Sequence, residues 1–169
     1  MVTYRGLPAP IVCDFLSREA SRQQYASGTE FQIGHISMCS NTGTYVDSPF
    51  HRYADGDDLS ELPLDRLADL HAITVDVTGS GDRGIDRTHL EPYDVASKAV
   101  LVHTGWDRHW RTDGYFEGHP FLTDRAAAHL VAEGALLVGI DSLNIDDTSG
   151  GERPCTPRCC PPGSRSAST

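Results

Sequence analysis

The chain is 169 residues long, with 38% apolar, 22% charged and 8% aromatic residues, which excludes a disordered, collagen-like or fibrous protein and fits one domain with its own core. A net charge of −10, from 14 Lys and Arg against 24 Asp and Glu, repels a phosphate backbone, so nucleic acid is excluded as a partner. No run nears the roughly 18 apolar residues of a membrane span and the start lacks a signal-peptide pattern, so a soluble, cytoplasmic protein is expected.

In chain order, strands are predicted over residues 31–38, 72–77, 99–103 and 135–140. The last three are continuous apolar runs, as in a sheet covered on both faces. A helix is predicted over 124–133, with Thr123 accepting an N-terminal amide hydrogen bond and Gly134 free to take the left-handed stop. Strand 135–140 follows directly, so the fold class is α/β. Residues 47–63 form a long polar loop of the functional kind. The last fifteen residues, 155–169, hold no acid and no large apolar side chain. The expected organisation is therefore a domain over 1–154 and an unstructured tail over 155–169 whose removal leaves stability almost unchanged.

Several motifs carry less than their spelling suggests. Residues 79–84, Gly-Ser-Gly-Asp-Arg-Gly, match a dinucleotide-binding fingerprint, but the helix N-terminus that must follow the glycines is replaced by Ile85-Asp86-Arg87-Thr88. A turn between strands is the better reading. Cys155, Cys159 and Cys160 lack a Cys-x-x-Cys pair and have no histidine beyond His129, so they make no zinc knuckle. An odd cysteine count argues against a disulfide framework. The eight histidines stand in no compact ligand spacing. His51 is the exception, four residues after Asp47 and two after Pro49 in Asn41-Thr42-Gly43-Thr44-Tyr45-Val46-Asp47-Ser48-Pro49-Phe50-His51. There an acid and an imidazole share a turn stiffened by proline, a pair able to bind metal or pass protons, although an ordinary loop has the same composition.

That segment resembles the signature of the cyclase family of metal-dependent hydrolases, which includes bacterial kynurenine formamidase (arylformamidase) and isatin hydrolase and reads His-x-Gly-Thr-His-x-Asp-x-Pro-x-His. Leu62-Pro63-Leu64, His103-Thr104-Gly105-Trp106, and Gly139-Ile140-Asp141 followed by Asp146 agree with it in order. The resemblance implies a swivelling β/β/α fold, often assembled as a homo-oligomer. It also implies hydrolysis of amide C–N bonds in small molecules, as in tryptophan catabolism, by water activated on Zn²⁺ or Mn²⁺. Carried over by position, Asp47 is a metal ligand and His51 the catalytic acid/base, while Asn41 and Tyr45 stand where the family has histidines. In this divergent NTGTY subgroup those two are expected to hydrogen-bond a substrate or each other, with Tyr45, Phe50, Tyr53 and Trp106 lining an apolar pocket for a ring-bearing substrate.

Two of the four chemical groups of the signature survive, and an amide or a phenol replaces imidazole poorly at a metal. The family's later His and Glu have no counterpart. Read one base out of register, the codons after Pro154 permit Val-His-Thr-Ala-Leu-Leu-Pro-Ala-Gly-Ile-Pro-Val, which is that absent segment. The expectation is that residues 155–169 are frameshifted, that the fold is incomplete at its C-terminus and that the start is short as well. Weak metal binding and weak or absent hydrolysis follow. The alternative is a metal-free small-molecule binding or oligomerisation module on the same fold.

Overall fold

The computed structural model describes residues 6–153 and Cys155. The expectations for the first five residues, for Pro154 and for 156–169 fall outside the described residues. The chain divides into two compact units, Met1–Val46 and Asp47–Thr169.

In the first unit β1 (Ile11–Leu16) pairs antiparallel with β2 (Ile33–Ser37), with Val12 opposite Ile36 and an irregularity between Asp14 and Leu16. Between them lies a single helical turn, α1 (Arg18–Arg22), whose first amides are capped by Ser17. Ser21, fully buried, donates to the Arg18 carbonyl and accepts from the Phe31 amide, both at 2.9 Å, which ties the connection to the start of β2. Both strands remain exposed, with Val12 at 72%, Phe15 at 77% and Ile36 at 66%.

The second unit is built on β3 (Ala72–Asp76), β5 (Ala99–His103) and β7 (Leu137–Ile140), all parallel and ordered β3-β5-β7. Their register sets Asp76 beside His103 and Val102 beside Ile140. Two-residue strands β4 (Gly84–Ile85) and β6 (Phe121–Leu122) form a separate parallel pair. Helix α2 (Asp124–Ala132) starts at Thr123, whose hydroxyl accepts from the Ala126 amide at 3.2 Å, and ends at Gly134 with φ of 78°. It turns Ala126, Ala127 and Leu130 onto Val75, Val100, Val102, Ile85 and Leu122. Each large aliphatic side chain buried there contributes roughly 1.5–3 kcal/mol.

The sheet is covered differently from the expectation. Along β5, Val100 and Val102 are buried while Leu101 is 43% exposed, so pleat alternation packs one face on the core and leaves the other open among the described residues. The glycine-rich segment 79–84 is a turn running from β3 into β4, followed by a three-residue 3-10 turn, Arg87–His89, and not by an α-helix. Cys155, assigned on sequence to the tail, is fully buried: its amide donates to Asp146 Oδ1 at 2.6 Å and its thiol to the Leu122 carbonyl at 2.9 Å.

His119, 1% exposed, lies between the Pro120 carbonyl at Nδ1 and the Thr148 hydroxyl at Nε2, each 2.9 Å away. Burial pushes its pKa below the usual imidazole value, and the bond to Pro120 recovers part of that shift. The unfolded chain then binds a proton that the native one refuses. Its contribution to stability is complete above pH ~6.5 and is lost as pH falls below that value, by at most about 1.4 kcal/mol per pH unit. Urea unfolding of the wild type between pH 7 and 5 is expected to show this slope, and His119→Asn to flatten it; parallel profiles would refute the assignment.

Candidate active site

Asn41, Thr42 and Gly43 make a tight bend. Thr42 Oγ1 donates to the Cys39 carbonyl at 2.6 Å and Gly43 adopts φ of 77°, a left-handed conformation that glycine takes without strain. Asn41 Oδ1 accepts from the Ser40 hydroxyl at 3.1 Å, and Tyr45 is 37% exposed.

In the second unit, Pro49 opens a 3-10 turn, Pro49–His51, after Ser48 in extended geometry, because proline presets φ and biases the residue before it away from the helical region. The turn is closed by His51 N–H to the Ser48 carbonyl at 2.9 Å and by Phe50 N–H to the Asp57 carbonyl at 3.1 Å. It sets His51 Nδ1 3.3 Å from Asp47 Oδ1. Partial burial raises the Asp47 carboxyl above its ordinary range and the nearby imidazole draws it part of the way back. Phe50, one residue earlier, points to solvent at 57% exposure.

Gly56 underlies this turn. A Cβ there would meet the Pro49 carbonyl carbon at 2.8 Å and its oxygen at 2.9 Å, so backbone must move to admit it. Gly56→Ala is expected to lower stability by about 1–3 kcal/mol. In the same variant the His51 side-chain resonances should broaden or shift. A melting curve and spectrum equal to wild type would show that the loop yields freely.

A second group of side chains gathers at the carboxyl ends of the parallel strands, where open α/β sheets place their ligands. Asp141, just after β7, accepts from the Thr104 amide at 2.9 Å, the Thr104 hydroxyl at 2.6 Å and the Gly105 amide at 2.8 Å. Trp106 follows, its indole N–H donating to the Tyr115 carbonyl at 3.1 Å and its ring packed on His109 with centroids 4.4 Å apart. His103 Nε2 is 3.9 Å from Asp141 Oδ2, and His103 Nδ1 is 3.9 Å from Asp76 Oδ1. With Asp107, His103 and Asp141 form a group whose ligand atoms lie within 4.8 Å of one another.

The structure thus joins Asp47 to His51, while Trp106 belongs to the turn after β5 and is engaged by Tyr115 and His109. Asn41 and Tyr45 sit in the first unit. Sequence reasoning singled out neither His103 and Asp107 nor Asp141 as site residues. The available signal was the pair of motifs His103-Thr104-Gly105-Trp106 and Gly139-Ile140-Asp141, each closing an apolar run, because neighbouring parallel strands bring their last residues side by side.

The model of the Cyclase family matches residues 7–147. The chain belongs to the Cyclase family. It is 27% identical over 136 residues to kynurenine formamidase of Geobacillus thermodenitrificans (strain NG80-2), covering 79% of this chain and 62% of the relative. To the kynurenine formamidase of Bacillus cytotoxicus it is 28% identical over 136 residues, covering 77% and 60%. The chain therefore spans about three fifths of the length of the curated relatives it matches. Among solved structures, a predicted metal-dependent hydrolase from Bacillus stearothermophilus superposes with a TM-score of 0.57 at 22% identity, over 94% of this chain and 74% of that one. A potential metal-dependent hydrolase with cyclase activity gives 0.56 at 22% identity, over 89% and 76%. The mixed α/β fold with parallel and antiparallel sheets is shared with these two solved structures. No helix among the described residues is long and apolar enough to cross a membrane.

Proposed function

We propose that this Cyclase-family chain is a hydrolase of the arylformamidase type, acting slowly on the C–N bond of small formylated aromatic amines of the kind met in tryptophan catabolism. The observation that carries the reading is the Asp47–His51 pair, fixed at 3.3 Å by the Pro49 turn. Support comes from the kynurenine formamidases among its relatives.

A bound Zn²⁺ or Mn²⁺, as the family resemblance implies, lowers the pKa of water and stabilises charge developing on the carbonyl oxygen. The signature residues of this chain do not fit such an ion. Asp47 and His51 supply two donors where a catalytic site wants three, Asn41 Oδ1 already accepts from Ser40, and a phenol replaces imidazole poorly as a ligand. No step is therefore routed through metal at this signature. Asp47 holds the Nδ1 side of His51, so Nε2 is the nitrogen open to a reacting water. The imidazole takes a proton from that water as its oxygen attacks the formyl carbon. It returns the proton to the amine nitrogen as the C–N bond breaks, releasing formate and the free amine. Without a strong electrophile for the oxyanion, the rate is low. Phe50 and Trp106, both of the second unit, are proposed to contact the substrate.

We further propose that the chain works in the cytoplasm as a homo-oligomer on a small-molecule substrate. A two-stranded ribbon exposing Val12, Phe15 and Ile36 is the kind of surface that a second copy covers.

The test is formate release from an N-formyl aromatic amine, followed by proton NMR with the full chain. Slow release above the buffer blank is expected. Substrate-induced shifts without formate would instead establish the metal-free binding module, and neither shifts nor formate would end both readings.

A further inference from the structure

We propose that His103, Asp107 and Asp141 form a divalent-cation site at the carboxyl ends of β5 and β7, of the borderline class that joins imidazole to carboxylate, with Zn²⁺ the best fit. It does not rest on the formamidase reading and shares no residue with the Asp47–His51 pair.

The placement follows from topology. Because Val102 pairs with Ile140, the next residues, His103 and Asp141, emerge from neighbouring strands at one level. Gly105, at φ of 71°, turns the chain back, and a Cβ there would meet Thr78 Cγ2 at 3.2 Å. The 3-10 turn Trp106–His109 then returns Asp107 toward both. Asp76, in register with His103 at the end of β3, adds a third carboxylate to the rim.

The donor chemistry favours a cation. Both imidazole nitrogens of His103 face carboxylate oxygens at 3.9 Å, too far for a hydrogen bond. Asp141 Oδ2 receives one amide and retains a lone pair. The cationic side chain on this turn, Arg108, is directed to His109 Nε2 at 3.1 Å and lies over the Trp106 ring. Ligand atoms bound to one zinc ion at roughly 2.0–2.2 Å stand about 3–4 Å apart, so closing a 4.8 Å group requires a side-chain shift of about 1 Å from the exposed His103 and Asp107. Three protein donors leave a position for water. Imidazole in the set selects Zn²⁺ over Mg²⁺ and Ca²⁺, which prefer oxygen alone.

Asp141 braces the turn and its loss disturbs folding, so His103 and Asp107 are the informative positions. Purified full chain, stripped with chelator, would be titrated with Zn²⁺ alone and followed by tryptophan fluorescence, since Trp106 lies in the liganding turn. A parallel Co²⁺ titration would read the d–d absorption of bound ion, and circular dichroism would verify that each variant is folded. Saturation at one equivalent is expected, with His103→Gln and Asp107→Asn each weakening binding at least tenfold. The double variant Asp47→Asn, His51→Gln should leave it unchanged. No saturable Zn²⁺ binding by the wild type, equal binding by the folded His103→Gln and Asp107→Asn variants, or loss of binding in the Asp47/His51 variant would each overturn the proposal.

Discussion

Asp141→Ala is expected to lower stability by about 3–5 kcal/mol. One carboxylate holds the amide and hydroxyl of Thr104 and the amide of Gly105 at 2.6–2.9 Å. Thr104 is 7% exposed, so water cannot fully replace the lost acceptor, and each donor left unpaired costs roughly 1–3 kcal/mol. The loss propagates, because Thr104 Oγ1 in turn accepts from the Trp106 amide. Asp141→Asn keeps one acceptor oxygen but sets an NH2 group against a donor, and should fall about midway between alanine and wild type. Denaturant unfolding of the two variants decides it. A loss below about 1 kcal/mol for alanine would mean that the turn satisfies itself without Asp141.

His51→Gln should reduce formate release by about 10²-fold or more, the usual contribution of a positioned acid/base. Glutamine retains a polar group at similar reach but cannot cycle a proton near neutral pH. Asp47→Asn should cost less in turnover, because the imidazole stays and loses only its charged neighbour at 3.3 Å. Initial rates between pH 5 and 8 check both. Unchanged rates in His51→Gln would remove His51 from the chemistry.

How far the sequence reaches depends on the range over which each signal acts. The strand Ala99–His103 and the start of α2 were legible to the residue, since an unbroken apolar run and the Thr123 cap act locally. β1 was missed because Cys13 and Asp14 interrupt its apolar residues, and α1 because five residues leave no periodicity to read. β4 and β6 have two residues each and exist only through pairing with each other. Coverage of the sheet was misjudged at Leu101, since an apolar side chain does not reveal whether a layer lies over it. The Asp47–His51 pairing was legible through Pro49. The His103–Asp107–Asp141 group was not, because Asp141 arrives by parallel pairing across a long separation in sequence, with α2 in between.

The incomplete ligand set of the signature is tested most directly by the initial rate of formate release from an N-formyl aromatic amine, measured in chelator and then with added Zn²⁺ or Mn²⁺. Asp107→Asn serves as the background, so that the group at the end of β5 does not contribute. The expected result is a slow rate that changes less than about twofold between the two conditions, because two donors hold an exchangeable ion poorly. Abolition of the rate by chelator, and its return with one metal per chain to the level of the Geobacillus thermodenitrificans relative, would contradict it.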